Sequence, residues 1–355
     1  MLRLLFANLL RNPRRAILNT LAIAVSIFVF SVLMSLPGIA DRVLADRASS
    51  LRVFCHSLAG PTYSLPEAYR VRIEGRPHVA AVSAFTLFFG IYHEPTDAFP
   101  NAAVDHEHAD EIWPDWGITG EVAREFKRLR TACLVGPAIM ERFHWHVGQQ
   151  ISLRGTIYPV NLTFQIVGVL SEKAPPPILM FRRDYLNEAT NHQARVNMYM
   201  VKVDRSESIP LVIDDLDQMF ANSSAETRTE SEYAFFSNVL SNFRAVFSIA
   251  KVVGLIVAIT VALVAANTAA MSIRERRKEI GIMRALGFQA TTVLAFLLGE
   301  GAIMGTLGGA IGCVAAYAVL RWISIGSAAL GPLGLAMRLP MRLLVETMIV
   351  AILIG

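Results

Sequence analysis

Apolar residues are concentrated in four runs along the chain. Residues 16–39 and 252–271 carry no charged side chain, and residues 290–320 carry only Glu300. A fourth run, residues 343–355, reaches the last residue of the sequence. Because a helix needs about 20 apolar residues to cross a bilayer, the pattern predicts an α-helical integral membrane protein with four transmembrane helices. In this prediction the fourth helix is incomplete, since we expect the chain to stop inside it.

The segment between the first two runs has the size and the pattern of a folded domain. Residues 41–245 combine alternating patterns, which are typical of strands, with helical spacing. Strands are predicted at residues 150–154, 163–170 and 196–203, and helices at residues 120–130 and 210–222. This combination predicts a large α+β domain between helices 1 and 2. A helical pattern over residues 238–251 continues into the second apolar run and predicts a stalk.

Charged residues divide the chain into two parts of opposite sign. Only 17% of the 355 residues are charged and 54% are hydrophobic, whereas about a quarter of an ordinary soluble domain is charged. Residues 41–245 carry 20 basic and 25 acidic side chains, and the rest carries 13 basic and 4 acidic ones. Since cytoplasmic loops are enriched in Lys and Arg, the N-terminus and residues 272–289 are predicted inside and the α+β domain outside. The net charge of +4 therefore reflects membrane topology, and no nucleic-acid partner is expected.

A short amphipathic helix is predicted before the first apolar run. Leu2, Leu5 and Phe6 share one face at helical spacing, and Pro13 ends the segment, which favours a helix lying at the cytoplasmic surface of the membrane. The first run is too long for the apolar region of a signal peptide. We divide the chain into the amphipathic helix (residues 1–15), the first transmembrane helix (16–40), the outer domain with its stalk (41–245) and a membrane domain with helices 2 to 4 (246–355).

Known catalytic and nucleotide-binding motifs are absent from the sequence, which contains no G-x-x-x-x-G-K-[ST], G-x-S-x-G or H-E-x-x-H. We therefore predict no enzyme activity and no cofactor in this chain. The H-x-H patterns at residues 106–108 and 144–146 have two interpretations. Their histidines either bind a metal ion or belong to a solvated loop and to the edge of a strand or helix. Because H-x-H alone is a weak signal, no metal site is assigned. Cys55 and Cys133 either form a disulfide in an oxidising compartment or remain free thiols.

The segment after the second apolar run is the most informative part of the sequence. Residues 272–289 carry charges of both signs together with apolar positions at helical spacing. A signal that stops membrane insertion needs only basic residues, whereas this ordered mixture favours contact with a protein. We predict that a soluble cytoplasmic partner binds here and transmits movement to the membrane helices. The candidate contact residues are Arg274, Glu275, Arg276, Lys278, Glu279, Ile280, Gly281, Met283, Arg284, Leu286 and Gly287.

The same segment resembles the signature of FtsX/MacB-type ABC transporter permeases. That signature, E-R-x-x-E-I-G-x-x-R-A-L-G, is present at residues 275–287. Residues 8–15 resemble the membrane-skirting N-terminal helix of the family, and residues 135–153 and 164–170 resemble its MacB-like periplasmic core. The layout of one span, a large outer domain and three further spans extends the resemblance to the whole chain.

The resemblance implies a multi-pass protein of the bacterial inner membrane that pairs with a second permease protomer, identical or homologous. Residues 272–289 would then be the coupling helix of a cytoplasmic ABC ATPase dimer, which binds ATP and Mg²⁺ and drives the outer domain by mechanotransmission. The implied function is export or extraction of a peptide, lipoprotein or drug, in some members with a periplasmic adaptor and an outer-membrane channel. The alternative is an FtsX-like regulatory protein that activates an extracytoplasmic enzyme without transport.

Five glycines in the third apolar run lie at the four-residue spacing that lets membrane helices approach closely. They are Gly301, Gly305, Gly308, Gly309 and Gly312. This spacing predicts close helix packing, either with a second protomer or within the chain, and both alternatives stay open at this point. Glu300 precedes them, and we expect it to snorkel or to bond within the chain rather than to relay protons.

Overall fold

The computed structural model describes residues 13–45, 47–174, 178–241, 244–275, 277–286 and 288–326, together with residues 347, 349 and 351. The chain divides into two compact units. The first, which we call the outer unit, comprises residues 40–242 and 323–336. The second, which we call the helical unit, comprises residues 1–39, 243–322 and 337–355.

The described residues of the chain form the following strands and helices. The strands are β1 (Arg52–Ser57), β2 (Val79–Leu87), β3 (Asn101–Val104), β4 (Ala132–Val135), β5 (Gln150–Arg154), β6 (Asn161–Val169), β7 (Leu179–Arg182), β8 (Met198–Val203) and β9 (Thr227–Ser231). The helices are α1 (Pro13–Ala45), α2 (Tyr69–Glu74), α3 (Ala109–Ile112), α4 (Gly120–Arg128), α5 (Pro137–Phe143), α6 (Arg183–Ala189), α7 (Ile209–Phe220), α8 (Glu232–Ser241), α9 (Arg244–Glu275), α10 (Arg277–Ala285) and α11 (Ala290–Gly326).

The outer unit is built on one mixed sheet of nine strands, in the order β5-β6-β4-β7-β3-β2-β8-β1-β9. Most neighbouring strands are antiparallel, while β3 with β7 and β4 with β6 are parallel. The predicted α+β character is confirmed, and so are the strands that became β5, β6 and β8 and the helices that became α4 and α7. The predicted continuous helix over residues 238–251 includes residues 242 and 243, which lie outside the described residues.

Two separate apolar clusters stabilise the two halves of this sheet. One cluster is formed by β1, β2 and β8 with helices α2 and α7, and it includes the fully buried side chains of Tyr199 and Phe220. The other is formed by β3 to β7 with helices α5 and α6, and it includes the fully buried side chains of Phe164 and Phe181. We call the part of the sheet that holds the first cluster, together with the edge strand β9, the near half, and the part that holds the second cluster the far half. Burial of apolar side chains is the main favourable term in folding each half.

Three long helices dominate the helical unit. By length and composition, two helical stretches are able to cross a membrane, Ile17–Ser35 in α1 and Gly301–Trp322 in α11. The apolar stretch described in α9, Ser248–Thr260, is shorter. The fourth apolar run falls outside the described residues apart from residues 347, 349 and 351. Helices are therefore present at the first three predicted spans, while the count of four transmembrane helices stays a prediction.

Large apolar side chains cover the exposed surfaces of these long helices. Ile17, Leu18 and Leu21 of α1 are more than half exposed, as are Val314 and Trp322 of α11. Contiguous apolar surface of this kind is rare on soluble proteins and marks contact with lipid or with another protein. The pattern is the one expected of helices in a bilayer.

Candidate functional site: the short helix between two long apolar helices

The candidate coupling segment contains a separate short helix. Helix α9 ends at Glu275, α10 covers nine residues from Arg277 to Ala285, and α11 begins at Ala290. The first residues of the predicted segment are thus the last turn of α9. Arg276 and Gly287 lie outside the described residues, as do the side chains of Glu275, Glu279 and Arg284.

Backbone hydrogen bonds define both ends of the connection from α10 to α11. The Leu286 N–H donates to the Ile282 carbonyl at 2.9 Å, and the Phe288 N–H donates to the Met283 carbonyl at 3.1 Å. At the start of α11, the Val293 N–H donates to the Gln289 carbonyl at 3.2 Å. Few residues thus separate the end of α10 from the start of α11.

Helix α10 and the residue after it present an exposed stripe of one basic and two apolar side chains. Ile282 is 61% exposed and Leu286, directly after the helix, is 72% exposed, and Lys278, also exposed, precedes Ile282 by one helical turn. Residues four apart share one face of a helix, so the three side chains form a continuous stripe. Ile280 and Met283 are half-buried. Two of the predicted contact residues, Ile280 and Met283, are thus less exposed than a third, Leu286, and less exposed than Ile282, which was not among them.

Sequence reasoning therefore missed Ile282 as a candidate contact residue, and also Phe288, which is exposed just beyond α10. The spacing of Lys278, Ile282 and Leu286 is visible in the sequence. The sequence does not show whether the face with Ile280 and Met283 or the face with Ile282 is the more buried one, because burial depends on the rest of the fold.

Gly281 lies on the same short helix and has open space around it. A Cβ atom added there would have no atom of the described chain within 4 Å, and Gly281 is exposed. Glycine inside a helix costs roughly 0.5–1 kcal/mol relative to alanine. Packing within the described part of the chain therefore gives no reason for a glycine here, whereas close approach of a partner would.

The glycines of α11 pack against α1 of the same chain. A Cβ atom on Gly308 would lie 2.8 Å from the Thr20 carbonyl oxygen, and one on Gly312 would lie 2.5 Å from the Ala24 carbonyl oxygen. Gly301, Gly305 and Gly309 are also buried. For Gly308 and Gly312, packing within the chain is therefore the observed alternative, because the α1 backbone occupies the face that a second protomer would need.

The two cysteines of the outer unit do not form a disulfide in this structure. Cys55 on β1 and Cys133 on β4 are both buried free thiols, in the near and the far half respectively. The sheet order places five strand spacings between β1 and β4, or roughly 24 Å, well beyond the reach of a disulfide. The alternative in which Cys55 and Cys133 form a disulfide is therefore wrong for this structure. The strand order that separates them cannot be predicted from the spacing of the two cysteines in the sequence.

The histidine-rich segments of the outer unit serve local contacts. His108 Nδ1 lies 3.1 Å from a carboxylate oxygen of Glu111, and His144 ends α5 with a left-handed backbone conformation. Within the described ranges, no three His, Cys, Asp or Glu side chains come together in a metal-binding arrangement. No metal is therefore assigned to this part of the chain.

Along the chain, an α+β domain follows one long apolar helix and precedes two more, and the short helix α10 separates these last two. Residues 16–219 match the model of the MacB-like periplasmic core domain, and residues 251–355 match that of the FtsX-like permease C-terminal region. The first match covers more than half of the chain. The chain belongs to the family with a MacB-like periplasmic core domain, joined here to an FtsX-like permease region. It is therefore a membrane protein with an extracytoplasmic domain.

Named relatives agree with this family. An uncharacterized ABC transporter permease of Methanocaldococcus jannaschii is 25% identical over 254 residues, which cover 69% of this chain and 62% of that protein. The macrolide export ATP-binding/permease protein MacB of Marinobacter nauticus is 27% identical over 181 residues, covering 47% of this chain and 28% of that protein. The chain thus spans less than two thirds of the length of both relatives. The extracellular domain of the noncanonic ABC-type transporter YknZ from Gram-positive bacteria superposes with a TM-score of 0.37 at 13% identity, covering 50% of this chain and 99% of that domain.

Proposed function

We propose that this chain is the permease subunit of an ATP-binding cassette transporter and that α10 is the helix through which a separate cytoplasmic ATPase drives it. The observation that carries the proposal is the exposed stripe of Lys278, Ile282 and Leu286 on a short helix between α9 and α11. An amphipathic helix of this kind binds a groove through apolar anchors one turn apart. The exposed basic side chains of Arg274 and Arg277 beside it suit a partner with acidic groups at its rim.

ATP and Mg²⁺ bind to the ATPase in this proposal, because the sequence of this chain contains no phosphate-binding loop. Closure of an ATPase dimer displaces α10 in each of two permease protomers. The displacement passes into α9 and α11, and the outer domain changes shape on the other side of the membrane. This change drives export or extraction of a substrate that the outer domain meets.

The proposal is tested by placing a charge in the exposed stripe. Leu286→Asp should weaken binding of the ATPase about thirtyfold, the equivalent of about 2 kcal/mol, because the apolar anchor is lost. Leu286 is 72% exposed, so the substitution leaves the fold of the chain intact. The readout is the amount of ATPase that the purified, tagged chain retains, together with its rate of ATP hydrolysis.

The matched control is Leu58→Asp, since Leu58 is 56% exposed in the outer unit. This variant should retain the ATPase at the level of the unaltered chain. Equal retention by the two variants would refute the assignment of α10.

A further inference from the structure

A cluster of buried charges lies where the chain enters and leaves the outer unit. Arg47 follows the last residue of α1 by two positions, and Glu232 is the first residue of α8. Their side chains and that of Arg52, at the start of β1, are at most 4% exposed. The Nε atoms of Arg47 and Arg52 lie 3.6 and 2.7 Å from the two carboxylate oxygens of Glu232. The Glu232 carboxylate thus connects the segment after α1, the first strand β1 and the first residue of α8. We call Arg47, Arg52 and Glu232 the root cluster.

Arg52 connects the root cluster to a further segment of the chain. Its guanidinium donates two hydrogen bonds to the carboxylate of Asp115, at 2.5 and 2.8 Å, and one to the Ile112 carbonyl, at 2.9 Å. Its Cζ atom also lies 5.1 Å from the centre of the Trp116 ring. These contacts run from the last residue of α3 to Trp116, so one side chain fixes this part of the chain to the start of β1.

The Arg52–Asp115 pair is ionised at neutral pH. Burial alone would lower the pKa of Arg52, but the hydrogen bond to Asp115 and the charge of Glu232 raise that pKa above its ordinary value. Burial alone would raise the pKa of Asp115, but the hydrogen bond from Arg52 lowers it below its ordinary value. The bridge is therefore a charge-assisted, bidentate contact, which is the strong kind.

Asp115 is in turn connected to the far half of the sheet. The Ser171 hydroxyl donates to the backbone carbonyl of Asp115 at 2.7 Å, and the Ser171 N–H donates to the Trp116 carbonyl at 2.8 Å. Ser171 follows the end of β6 by two residues, and β6 lies six strand spacings from β1 in the sheet, or roughly 29 Å along it. The bridge is thus a short connection from the root cluster to a distant part of the sheet.

The Arg52–Asp115 pair joins a buried guanidinium to an exposed carboxylate, and ion pairs with an exposed partner contribute little net stability. Its geometry is specific, however, because the planar fork of arginine matches the two oxygens of a carboxylate. An arrangement of this kind holds three segments in one relative position and resists deformation.

We propose that the Arg52–Asp115 bridge is a strut that carries movement of the root cluster into the far half of the outer unit. The inference rests on the proposed function, in which helices α1 and α9 move when ATP binds to the partner. Both helices lead into the root cluster along the chain, α1 through Arg47 and α9 through α8. Arg52 and Asp115 are positioning residues in this mechanism.

The experiment measures the distance between the two halves in the complex of the full chain with its ATPase, in lipid nanodiscs. Spin labels are placed at Asn161→Cys on β6 and at Leu211→Cys on α7, both exposed, while the three native cysteines are buried. Adding MgATP and vanadate should shift the label distance in the unaltered chain. Asp115→Ala should abolish the shift and leave the distance without nucleotide unchanged, which mere unfolding of the unit would not do.

Two further variants complete the design. Ser171→Ala removes the hydroxyl hydrogen bond to the Asp115 carbonyl and keeps the backbone hydrogen bond to Trp116, so it should diminish the shift less than Asp115→Ala does. Glu125→Gln breaks the exposed Glu125–Arg128 ion pair on α4 and should leave the shift intact. A full shift in Asp115→Ala would overturn the strut. Absence of any shift in an unaltered complex that hydrolyses ATP would overturn it too, whereas an unaltered chain that binds no ATPase would overturn the proposed function itself.

Discussion

Asp105 is a buried carboxylate, and its burial gives it an unusual pKa. It is 7% exposed and lies 3.2 Å from a guanidinium nitrogen of Arg70 and 3.5 Å from one of Arg183. The backbone N–H of Ala84 donates to it at 2.8 Å. Burial raises the pKa of Asp105 to about 6, although Arg70 and the Ala84 hydrogen bond act in the opposite direction.

The outer unit should therefore lose stability as pH rises from about 4 to about 6. The unfolded chain releases the Asp105 proton near its ordinary pKa of 3.8, while the folded chain keeps it to about 6, so the folded state binds more protons in this window. The contribution of the Asp105 proton to the stability of the outer unit is fully present below pH 3.8 and is lost as the pH rises through about 6. It amounts to roughly 3 kcal/mol.

The check on this prediction is a series of unfolding curves of the full chain between pH 4 and pH 7, with Asp105→Asn beside the unaltered protein. The variant should lack this part of the pH dependence. Identical pH profiles for the two proteins would show that Asp105 titrates at its ordinary value.

Hydrophobic patterns predicted whether a segment forms a helix or a strand better than they predicted which other element it packs against. The alternation over β5 and the helical spacing over α4 and α7 were sufficient because each element buries one face against its own sheet. The same patterns did not show which face of α10 is exposed, nor which helix the glycines of α11 contact. Those properties depend on elements distant in sequence, and a local pattern does not contain them.

The helix packing gives a matched pair of glycine substitutions. Gly312→Ala should destabilise the helical unit by roughly 1–3 kcal/mol, because the new methyl group would lie 2.5 Å from the Ala24 carbonyl oxygen. Gly281→Ala makes the same chemical change in open space and should stabilise α10 slightly.

The measurement for this pair is thermal unfolding of the full chain in detergent, with retention of helical signal as the readout. A lower midpoint for Gly312→Ala alone is the expected result. Equal midpoints for the two variants would mean that α1 and α11 do not pack through Gly312.

At the scale of the whole molecule, charge sorting predicted the division into an acidic outer domain and a basic membrane part, because topology signals are local in sequence. The free state of Cys55 and Cys133 was not predictable, since it depends on the strand order. The root cluster and its bridge were equally hidden, because Arg52 lies 180 positions from Glu232 and 63 positions from Asp115. Long-range ion pairs of this kind leave no periodic signal in a sequence.

If a separate cytoplasmic ATPase drives this chain through α10, the two proteins purify together. The measurement is purification of the tagged full chain from native membranes, followed by identification of its partners and assay of vanadate-sensitive ATP hydrolysis. We expect a second polypeptide with a phosphate-binding loop, in equal amount to the permease, and loss of both polypeptide and hydrolysis in Leu286→Asp. Purification of the intact chain with no such polypeptide and no ATP hydrolysis would contradict the proposed function.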